Sequence, residues 1–165
     1  MSKVLVVMGS DSDLEQIAAA WKVLGELGIA YEVRVASAHR TPDVVHELAV
    51  NARSRGFSVV IAAAGIAAHL AGVFASLTTL PIVALPVAGG TLGGIDALLS
   101  STQMPPGVPI ASVGIGGAKN AGLFAAAILG ASDPVIAARL EGYRKQMQAK
   151  VIEADTRVRE TTKLV

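Results

Sequence analysis

The chain has 165 residues, a length that one domain normally accommodates, and we expect a single domain over residues 1–165. Hydrophobic residues make up 52% and charged residues 16%, which excludes a disordered or fibrous chain. The net charge of +1 and the lack of cysteine predict no nucleic-acid partner, no disulfide framework and no thiolate metal site.

The chain alternates between strand and helix patterns. The apolar run Val4–Met8 ends at Gly9 and is typical of a strand covered on both faces. Apolar residues then recur every three or four positions from Leu14 to Leu27, which predicts an amphipathic helix. Further strands are predicted at Tyr31–Ala36, Ser58–Ala63, Pro81–Pro86 and Ile110–Gly114, and further helices at Pro42–Arg53, Ala67–Leu77, Gly94–Thr102 and Lys119–Leu129.

This alternation predicts parallel strands joined by right-handed crossovers. Five such units favour an α/β, flavodoxin-like, doubly wound parallel sheet of order 2-1-3-4-5, with a core over about residues 3–130. A further C-terminal helix, predicted over about 134–160, begins at Ser132-Asp133-Pro134 with a capping side chain and a proline in its first turn. Its apolar stripe could cap its own domain or reach a neighbouring subunit, and we favour the neighbour.

A long stretch of the chain is almost free of charge. Between Gly56 and Ala118 only Asp96 carries a carboxylate, and no lysine or arginine occurs. Repeated glycines and prolines interrupt the stretch, so we expect no membrane span. No basic and apolar leader precedes the first strand, which favours a cytoplasmic protein.

The segment Ala67–Thr79 within this stretch has no charge on any helical face, and such helices are normally buried all round. We therefore expect a second copy of the chain to cover one side of it, which predicts homo-oligomers. The alternative is that small residues make a tolerable exposed face.

In a doubly wound sheet, ligands bind beyond the carboxyl ends of the strands, where the strand order reverses. The loops after the first three predicted strands should meet there. In the first loop, Gly9 permits a sharp turn, Ser10 and the helix start suit a phosphate, and Asp13 could accept hydrogen bonds from ribose hydroxyls. Ser12 and Glu15 also fit a capping box, so Ser12 could instead only cap the helix.

The second loop, Ser37–Pro42, carries a histidine and an arginine. Arg40 suits bidentate phosphate recognition, and Ser37 can add a hydroxyl donor. Imidazole titrates near neutral pH, so His39 is the candidate proton carrier. The alternative is an exposed His–Arg pair without a role.

The third loop, Ala63–Leu70, is rich in small residues, so backbone amides around Ala64 and Gly65 can approach a ligand closely. His69 stands among apolar neighbours, a position more often taken by a buried structural histidine than by a site residue. His46 is expected on the surface. Weaker candidates for walls or a lid are Pro86–Gly90, Gln103–Gly107 and Asn120.

Five motifs occur together and in a specific order. They resemble the phosphoribosylaminoimidazole carboxylase family (catalytic subunit), in its class I, N5-carboxyaminoimidazole ribonucleotide mutase form. The resemblance covers about residues 4–129. The motifs are Gly9-Ser10-x-Ser12-Asp13, Ser37-Ala38-His39-Arg40-Thr41-Pro42, Ala63-Ala64-Gly65-x-Ala67-Ala68-His69-Leu70, Gln103-Met104-Pro105-x-Gly107-Val108-Pro109 and Gly117-Ala118-x-Asn120-Ala121.

This resemblance implies a reaction of purine biosynthesis in which carboxylate moves from the exocyclic nitrogen to ring carbon 4 of a ribonucleotide. A second branch of the family carboxylates aminoimidazole ribonucleotide directly, and its loops tend to differ from those found here, so the mutase is favoured. The family forms homo-octamers with active sites at subunit boundaries, and uses no metal, nucleotide or organic cofactor.

Carried over to this chain, the resemblance puts the family's proton-transferring histidine at His39. Ser10, Asp13 and Arg40 fall on its nucleotide-binding positions, and Ser12 and Ser37 also line the phosphate and ribose site. The third loop, including Ala64, Gly65, His69 and Leu70, would complete the substrate site.

Three other functions fit the sequence less well. A signalling receiver domain needs an aspartate after the third strand and a lysine after the fifth, where this chain has Ala63-Ala64 and Gly114-Ile115. A flavin carrier needs aromatic rings around its cofactor, but aromatic residues are only 4%. A structural assembly subunit would leave the grouping of His39, Arg40 and Asp13 unexplained.

Overall fold

The computed structural model describes residues 3–162. At its centre is one parallel sheet of five strands, β1 (Lys3–Met8), β2 (Ala30–Val35), β3 (Phe57–Ala64), β4 (Ile82–Pro86) and β5 (Ala111–Ser112). Their order is β2-β1-β3-β4-β5, as predicted, and the flavodoxin-like α/β fold is confirmed.

Within residues 3–162, six α-helices surround the sheet: α1 (Leu14–Glu26), α2 (Pro42–Asn51), α3 (Leu70–Leu77), α4 (Ile95–Thr102), α5 (Ala118–Gly130) and α6 (Pro134–Thr161). Helices α1 and α5 pack on one face of the sheet with the start of α6, and α2 and α3 pack on the other. A short 3-10 turn, Asp11–Asp13, precedes α1.

The continuous apolar run in β1 results from burial on both faces. Val4, Val6 and Met8 belong to the core under α1 and α5, whereas Leu5 and Val7 belong to the core under α2 and α3. The strand is therefore fully covered, and its end is held in a fixed place between its two neighbours.

The register of the central strands brings their carboxyl ends together. Met8 pairs with Val35 on one side and with Ala63 on the other. Two further hydrogen bonds follow at this edge, from Ala36 N to the Met8 carbonyl (2.9 Å) and from Gly9 N to the Ala63 carbonyl (3.1 Å). The loops after β1, β2 and β3 consequently start side by side.

Helix α3 differs from its prediction in two respects. It begins at Leu70 rather than at Ala67, because residues 65–69 form an irregular loop that places His69 before the first turn. Other residues of the same chain also cover most of this helix: Leu70, Ala71 and Phe74 are buried, and within α3 only Ser76 is exposed. Its lack of charge is thus largely explained without a second copy.

Helix α6 starts as predicted, with the Asp133 carboxylate accepting hydrogen bonds from Val135 N (2.9 Å) and Ile136 N (3.3 Å). Ile136 packs into the core, and Arg139 Nη1 donates to the Leu27 carbonyl at 2.8 Å. From residue 144 to 162 every residue except Ala154 is exposed. Only the first part of the helix therefore caps its own domain.

None of the helices between residues 3 and 162 combines the length and the apolar character that a bilayer crossing requires.

Candidate active site

A cavity of about 440 Å³ opens where the loops after β1, β2, β3 and β4 meet. All of the predicted site residues line it. They are Ser10, Ser12, Asp13, Ser37, His39, Arg40, Ala64, Gly65, His69 and Leu70. The sheet register described above explains this convergence, because it aligns the ends of the strands that carry the loops.

Two histidines face each other in the cavity. His39 Nε2 lies 2.9 Å from His69 Nδ1, and the rings meet edge to face with centroids 5.0 Å apart. Both side chains belong to exposed residues, so the expectation that His69 is a buried structural histidine is wrong. One of the two nitrogens must donate and the other accept, so the tautomers of the two rings are linked. His46 is exposed on α2, as expected.

The backbone around each histidine is held by local hydrogen bonds. His39 lies in a turn closed by Thr41 N donating to the Ser37 carbonyl at 2.9 Å. The Thr41 hydroxyl accepts from Ser37 N (2.9 Å) and makes no cap to α2. His69 directly precedes α3, and its carbonyl accepts from Val73 N.

Arg40 joins the second loop to the first. Its Nη2 donates to the Gly9 carbonyl at 2.6 Å, and its backbone N and Nε donate to Ser37 Oγ at 3.2 and 3.4 Å. The guanidinium has further N–H groups beyond these bonds. It is therefore both fixed in place and able to donate to an anion in the cavity.

The first loop is a small network of hydroxyls and one carboxylate. Ser12 Oγ donates to Ser10 Oγ at 2.9 Å and also lies 3.3 Å from Asp13 Oδ1. Ser10 Oγ accepts from Ser12 N, so the capping side chain here is Ser10, for the 3-10 turn. The alternative in which Ser12 caps α1 is wrong, since Asp13 precedes that helix and no side-chain cap bond is made.

The carboxyl group of Asp13 is electrostatically unusual. Partial burial raises its pKa above the ordinary value, and this outweighs the lowering by hydrogen bonds from Ser12 and Ser10 and by the Arg40 charge. The nearby Asp11 carboxylate adds to the increase. Asp13 is held where an additional hydrogen-bond donor, such as a ribose hydroxyl, would favour its charged form.

The third loop closes the cavity from β3 and packs against the loop after β4. A Cβ on Gly65 would lie 3.4 Å from the Val87 carbonyl, so the two loops approach closely at this glycine. Ala68 is buried, and its N–H donates to Ser100 Oγ at 3.1 Å. Ala67 lines the cavity and Ala68 does not.

Of the weaker candidates for walls or a lid, one segment lines the cavity and the others do not. Val87–Gly90 form a wall of the cavity, as expected for the loop after β4. Neither Gln103–Gly107 nor Asn120 lines it within one chain; Met104 packs near Gly72 of α3, and Asn120 lies in a groove beside α6. Ile66 also lines the cavity and was not predicted as a site residue from the sequence. Its signal was an isolated large apolar residue among glycine and alanines.

Within residues 3–162, no group of three or more His, Cys, Asp or Glu side chains is arranged to hold a metal ion. The absence of a metal from the reaction remains a prediction.

The fold and the cavity together define a flavodoxin-like α/β protein with a small-molecule site where the strand order of the sheet reverses. The sequence model of the AIR carboxylase family matches residues 3–150. The chain belongs to the AIR carboxylase family.

Relatives with assigned functions support this membership over nearly the full length of both chains. A protein of Thermotoga maritima named N5-carboxyaminoimidazole ribonucleotide mutase is 50% identical over 158 residues, covering 96% of this chain and 92% of its own. Proteins with the same name from Pyrococcus abyssi and Mycobacterium tuberculosis are 51% and 49% identical, covering 90% and 93% of this chain and 85% and 88% of their own.

Solved structures agree with the fold. The crystal structure of Treponema denticola PurE superposes with a TM-score of 0.86 at 30% identity and covers 95% of this chain and 98% of that one. The crystal structure of a single-residue variant of Treponema denticola PurE2 gives 0.87 at 29% identity, covering 94% of this chain and 97% of that one.

Proposed function

We propose that this enzyme is an N5-carboxyaminoimidazole ribonucleotide mutase of de novo purine biosynthesis. It moves the carboxylate from the exocyclic nitrogen of its substrate to ring carbon 4, giving 4-carboxy-5-aminoimidazole ribonucleotide. The observation that carries the proposal is the identity of about one half, over nearly the whole chain, to proteins named for this activity. The cavity at the carboxyl edge of β1, β2 and β3 supplies the site.

His39 is the proton carrier of the proposed reaction. It gives a proton to the exocyclic nitrogen as the bond from nitrogen to carboxylate breaks, and carbon dioxide is released next to the ring. Carbon 4 then bonds to that carbon dioxide, and the proton on carbon 4 passes to His39. The histidine ends in its starting state, so the net reaction is an isomerisation.

His69 acts through His39. The 2.9 Å contact between His39 Nε2 and His69 Nδ1 leaves the other ring nitrogen of His39, Nδ1, free of a protein partner among the hydrogen bonds of residues 3–162. The contact fixes the orientation of the imidazole, since Nε2–H of His39 can donate to His69 Nδ1 both before and after Nδ1 of His39 gives up its proton. His69 is thus a positioning residue for the proton carrier.

The phosphate and the ribose are bound on the other side of the cavity. Arg40, Ser37, Ser10 and Ser12 supply donors to the phosphate, and Asp13 accepts hydrogen bonds from ribose hydroxyls. Arg40 already links the first two loops through the Gly9 carbonyl, so it meets the anion in a preformed position. These contacts lie away from the reacting atoms and provide binding energy for orientation.

The small residues Ala64, Gly65 and Ala67 form the space in which carbon dioxide stays between the two bonding events. Holding it close to carbon 4 makes recombination effectively intramolecular. The buried side chain of Leu70 closes the floor of this space.

We further propose that the active enzyme is a cytoplasmic homo-octamer that binds its ribonucleotide at subunit boundaries. The exposed apolar residues on the outer half of α6 support self-association, since Met147, Val151 and Val158 are 51%, 69% and 58% exposed in the single chain.

The test offers two substrates separately: the N5-carboxylated ribonucleotide, and aminoimidazole ribonucleotide with bicarbonate. Rapid conversion of the first at low bicarbonate is expected of the mutase. Conversion that occurs only from the second would assign direct carboxylation of aminoimidazole ribonucleotide instead. Conversion of neither above the enzyme-free rate would contradict the proposed function.

A further inference from the structure

Ile66 has an unfavourable backbone conformation. Its φ is +55°, and it is the only non-glycine residue between residues 3 and 162 with a positive φ. Side chains branched at Cβ are the least tolerant of this region, because their branch collides with the backbone. A glycine would adopt the same conformation without this cost.

Burial of the side chain does not offset that cost. Ile66 is 61% exposed, whereas the other two large apolar residues that line the cavity, Leu70 and Val87, are 2% and 3% exposed. Its side chain reaches toward the next loop, where its Cγ1 would lie 3.5 Å from a Cβ on Gly90. Ile66 is therefore the one large apolar side chain of the lining that leaves most of its surface uncovered.

The proposed reaction requires an apolar surface at this position of the cavity. Carbon dioxide is neutral and small, so charged groups hold it weakly, and its retention depends on apolar walls and on the exclusion of water. The walls at Ala64, Gly65 and Ala67 offer at most a methyl group each. The substrate's ring also has apolar faces, which gain by contact with a branched aliphatic side chain.

We propose that Ile66 is a positioning residue of the reaction: its side chain forms the wall that holds the imidazole and the released carbon dioxide beside His39 until the new bond forms. This inference rests on the proposed function. Without the wall, the bond from nitrogen to carboxylate still breaks and the nitrogen still receives its proton. The carbon dioxide then escapes to water, aminoimidazole ribonucleotide is released in place of the carboxylated product, and His39 takes its proton back from water instead of from carbon 4.

The test uses four variants of the full chain. Ile66→Gly removes the side chain and the backbone cost, and Ile66→Ala removes most of the side chain and keeps that cost. Ile66→Val keeps a branched apolar side chain. Val50→Ala, a 46% exposed position near the end of α2, is the matched control.

Each protein receives the N5-carboxylated ribonucleotide in labelled bicarbonate, and the enzyme-free decarboxylation rate is subtracted. The measurements are the ratio of aminoimidazole ribonucleotide to carboxylated product, and the label in that product. We expect both to rise at least about 10-fold in Ile66→Gly and Ile66→Ala, because these substitutions remove four and three apolar carbons from the wall. Ile66→Val and Val50→Ala should match the unmodified enzyme.

Thermal unfolding provides a second readout. Ile66→Gly should raise the Tm by about 2–4 °C because it relieves the left-handed conformation, and Ile66→Ala should not. Ile66→Gly would then be more stable than the unmodified enzyme and yet lose more carbon dioxide. If Ile66 only stabilised the fold, the loss of carbon dioxide would accompany a lower Tm.

Three outcomes would overturn the inference. Unchanged product ratio and label in both Ile66→Gly and Ile66→Ala, with an active unmodified enzyme, would overturn it and leave the proposed function standing. Unchanged ratios with smaller assemblies in sedimentation would assign the side chain to a subunit contact and overturn it as well. An unmodified enzyme that does not convert the substrate would overturn the proposed function, and the inference with it.

Discussion

At the scale of single residues, the central feature of this enzyme is a pair of exposed histidines that share a hydrogen bond. A lone histidine in a loop could have many roles. Two histidines whose ring nitrogens lie 2.9 Å apart, in a cavity that Arg40 also lines, are compatible with fewer. The ring of His69 constrains the orientation of the His39 ring without adding a fixed charge to the cavity. Positional control of this kind is what a proton carrier needs.

Replacement of His39 by asparagine tests the proton carrier directly. Asparagine keeps a polar side chain of similar reach but cannot shuttle a proton near neutral pH, so we expect turnover to fall at least ~10²-fold. Because His39 is exposed, the Tm should hardly change. Turnover measured with the N5-carboxylated substrate and thermal unfolding check the two parts. Near-normal turnover would refute the assignment.

The charge of Asp13 is expected to have opposite effects on stability and on substrate binding. Burial raises its pKa in the folded chain, so its ionisation at neutral pH opposes folding: the stability is complete below the pKa of the unfolded chain and is lost as pH rises through the folded value. Asp13→Asn should therefore raise the Tm at pH 7 and have little effect on it at strongly acidic pH.

The same substitution should weaken substrate binding. Loss of charge-assisted hydrogen bonds to ribose hydroxyls is expected to lower kcat/KM by about 10-fold or more. Asp43→Asn is the matched control, because Asp43 is exposed on α2, does not line the cavity and is not among the groups that shift the Asp13 pKa. An Asp13→Asn enzyme that is both less stable at pH 7 and fully active would contradict this account.

At the scale of elements, the closest packing is between α1 and α5. A Cβ on Gly122 of α5 would overlap the Ala20 carbonyl oxygen and Val23 Cγ1 of α1. The two helices touch through their backbones here, and only glycine permits the contact. The face of the sheet that carries α1, and with it the first loop of the site, depends on this approach.

Gly122→Ala should accordingly lower the free energy of unfolding by about 1–3 kcal/mol through overpacking. Gly142→Ala in α6 is the control, since a Cβ there meets nothing within 4 Å. Alanine is the better helix former, so this control should gain about 0.5–1 kcal/mol. Denaturant unfolding of both variants measures the difference in their free energies of unfolding. Equal values for the two variants would show that α1 and α5 can move apart to accommodate the methyl group without loss of stability.

At the scale of the whole molecule, α6 extends beyond the domain that it starts on. Its outer half exposes Met147, Val151 and Val158 on one helical face, an arrangement typical of a helix that packs against another chain. The uncharged helix α3, by contrast, is mostly covered within one chain. Self-association is therefore supported more strongly by the exposed apolar face of α6 than by α3.

Charges on that face should disrupt the assembly. We expect the double variant Val151→Lys and Val158→Lys to sediment as smaller species than the unmodified enzyme at micromolar concentration, with the fold of each chain retained in circular dichroism. Ala149→Lys, on the opposite side of the helix, should leave the assembly intact. A monomeric unmodified enzyme under the same conditions would contradict self-association altogether.

Local patterns along the chain were sufficient to predict the order of the strands, the sheet type and the three loops that form most of the cavity. Periodicity follows from which faces are buried, and the reversal of strand order brings the same three loops together in any doubly wound sheet. Ser10, Asp13, His39 and Arg40 could be grouped on that basis. The helix start at Asp133 was equally predictable, because its cap is a local interaction.

Contacts between distant segments could be seen only in the folded chain. The partnership of His39 with His69 spans 30 positions, and the bond from Arg40 to Gly9 spans 31, so no local pattern encodes either. The left-handed conformation of Ile66 and the coverage of α3 are likewise set by packing of neighbouring loops and helices. Spacing along a chain reports local geometry, whereas these features arise from how the chain is folded back on itself.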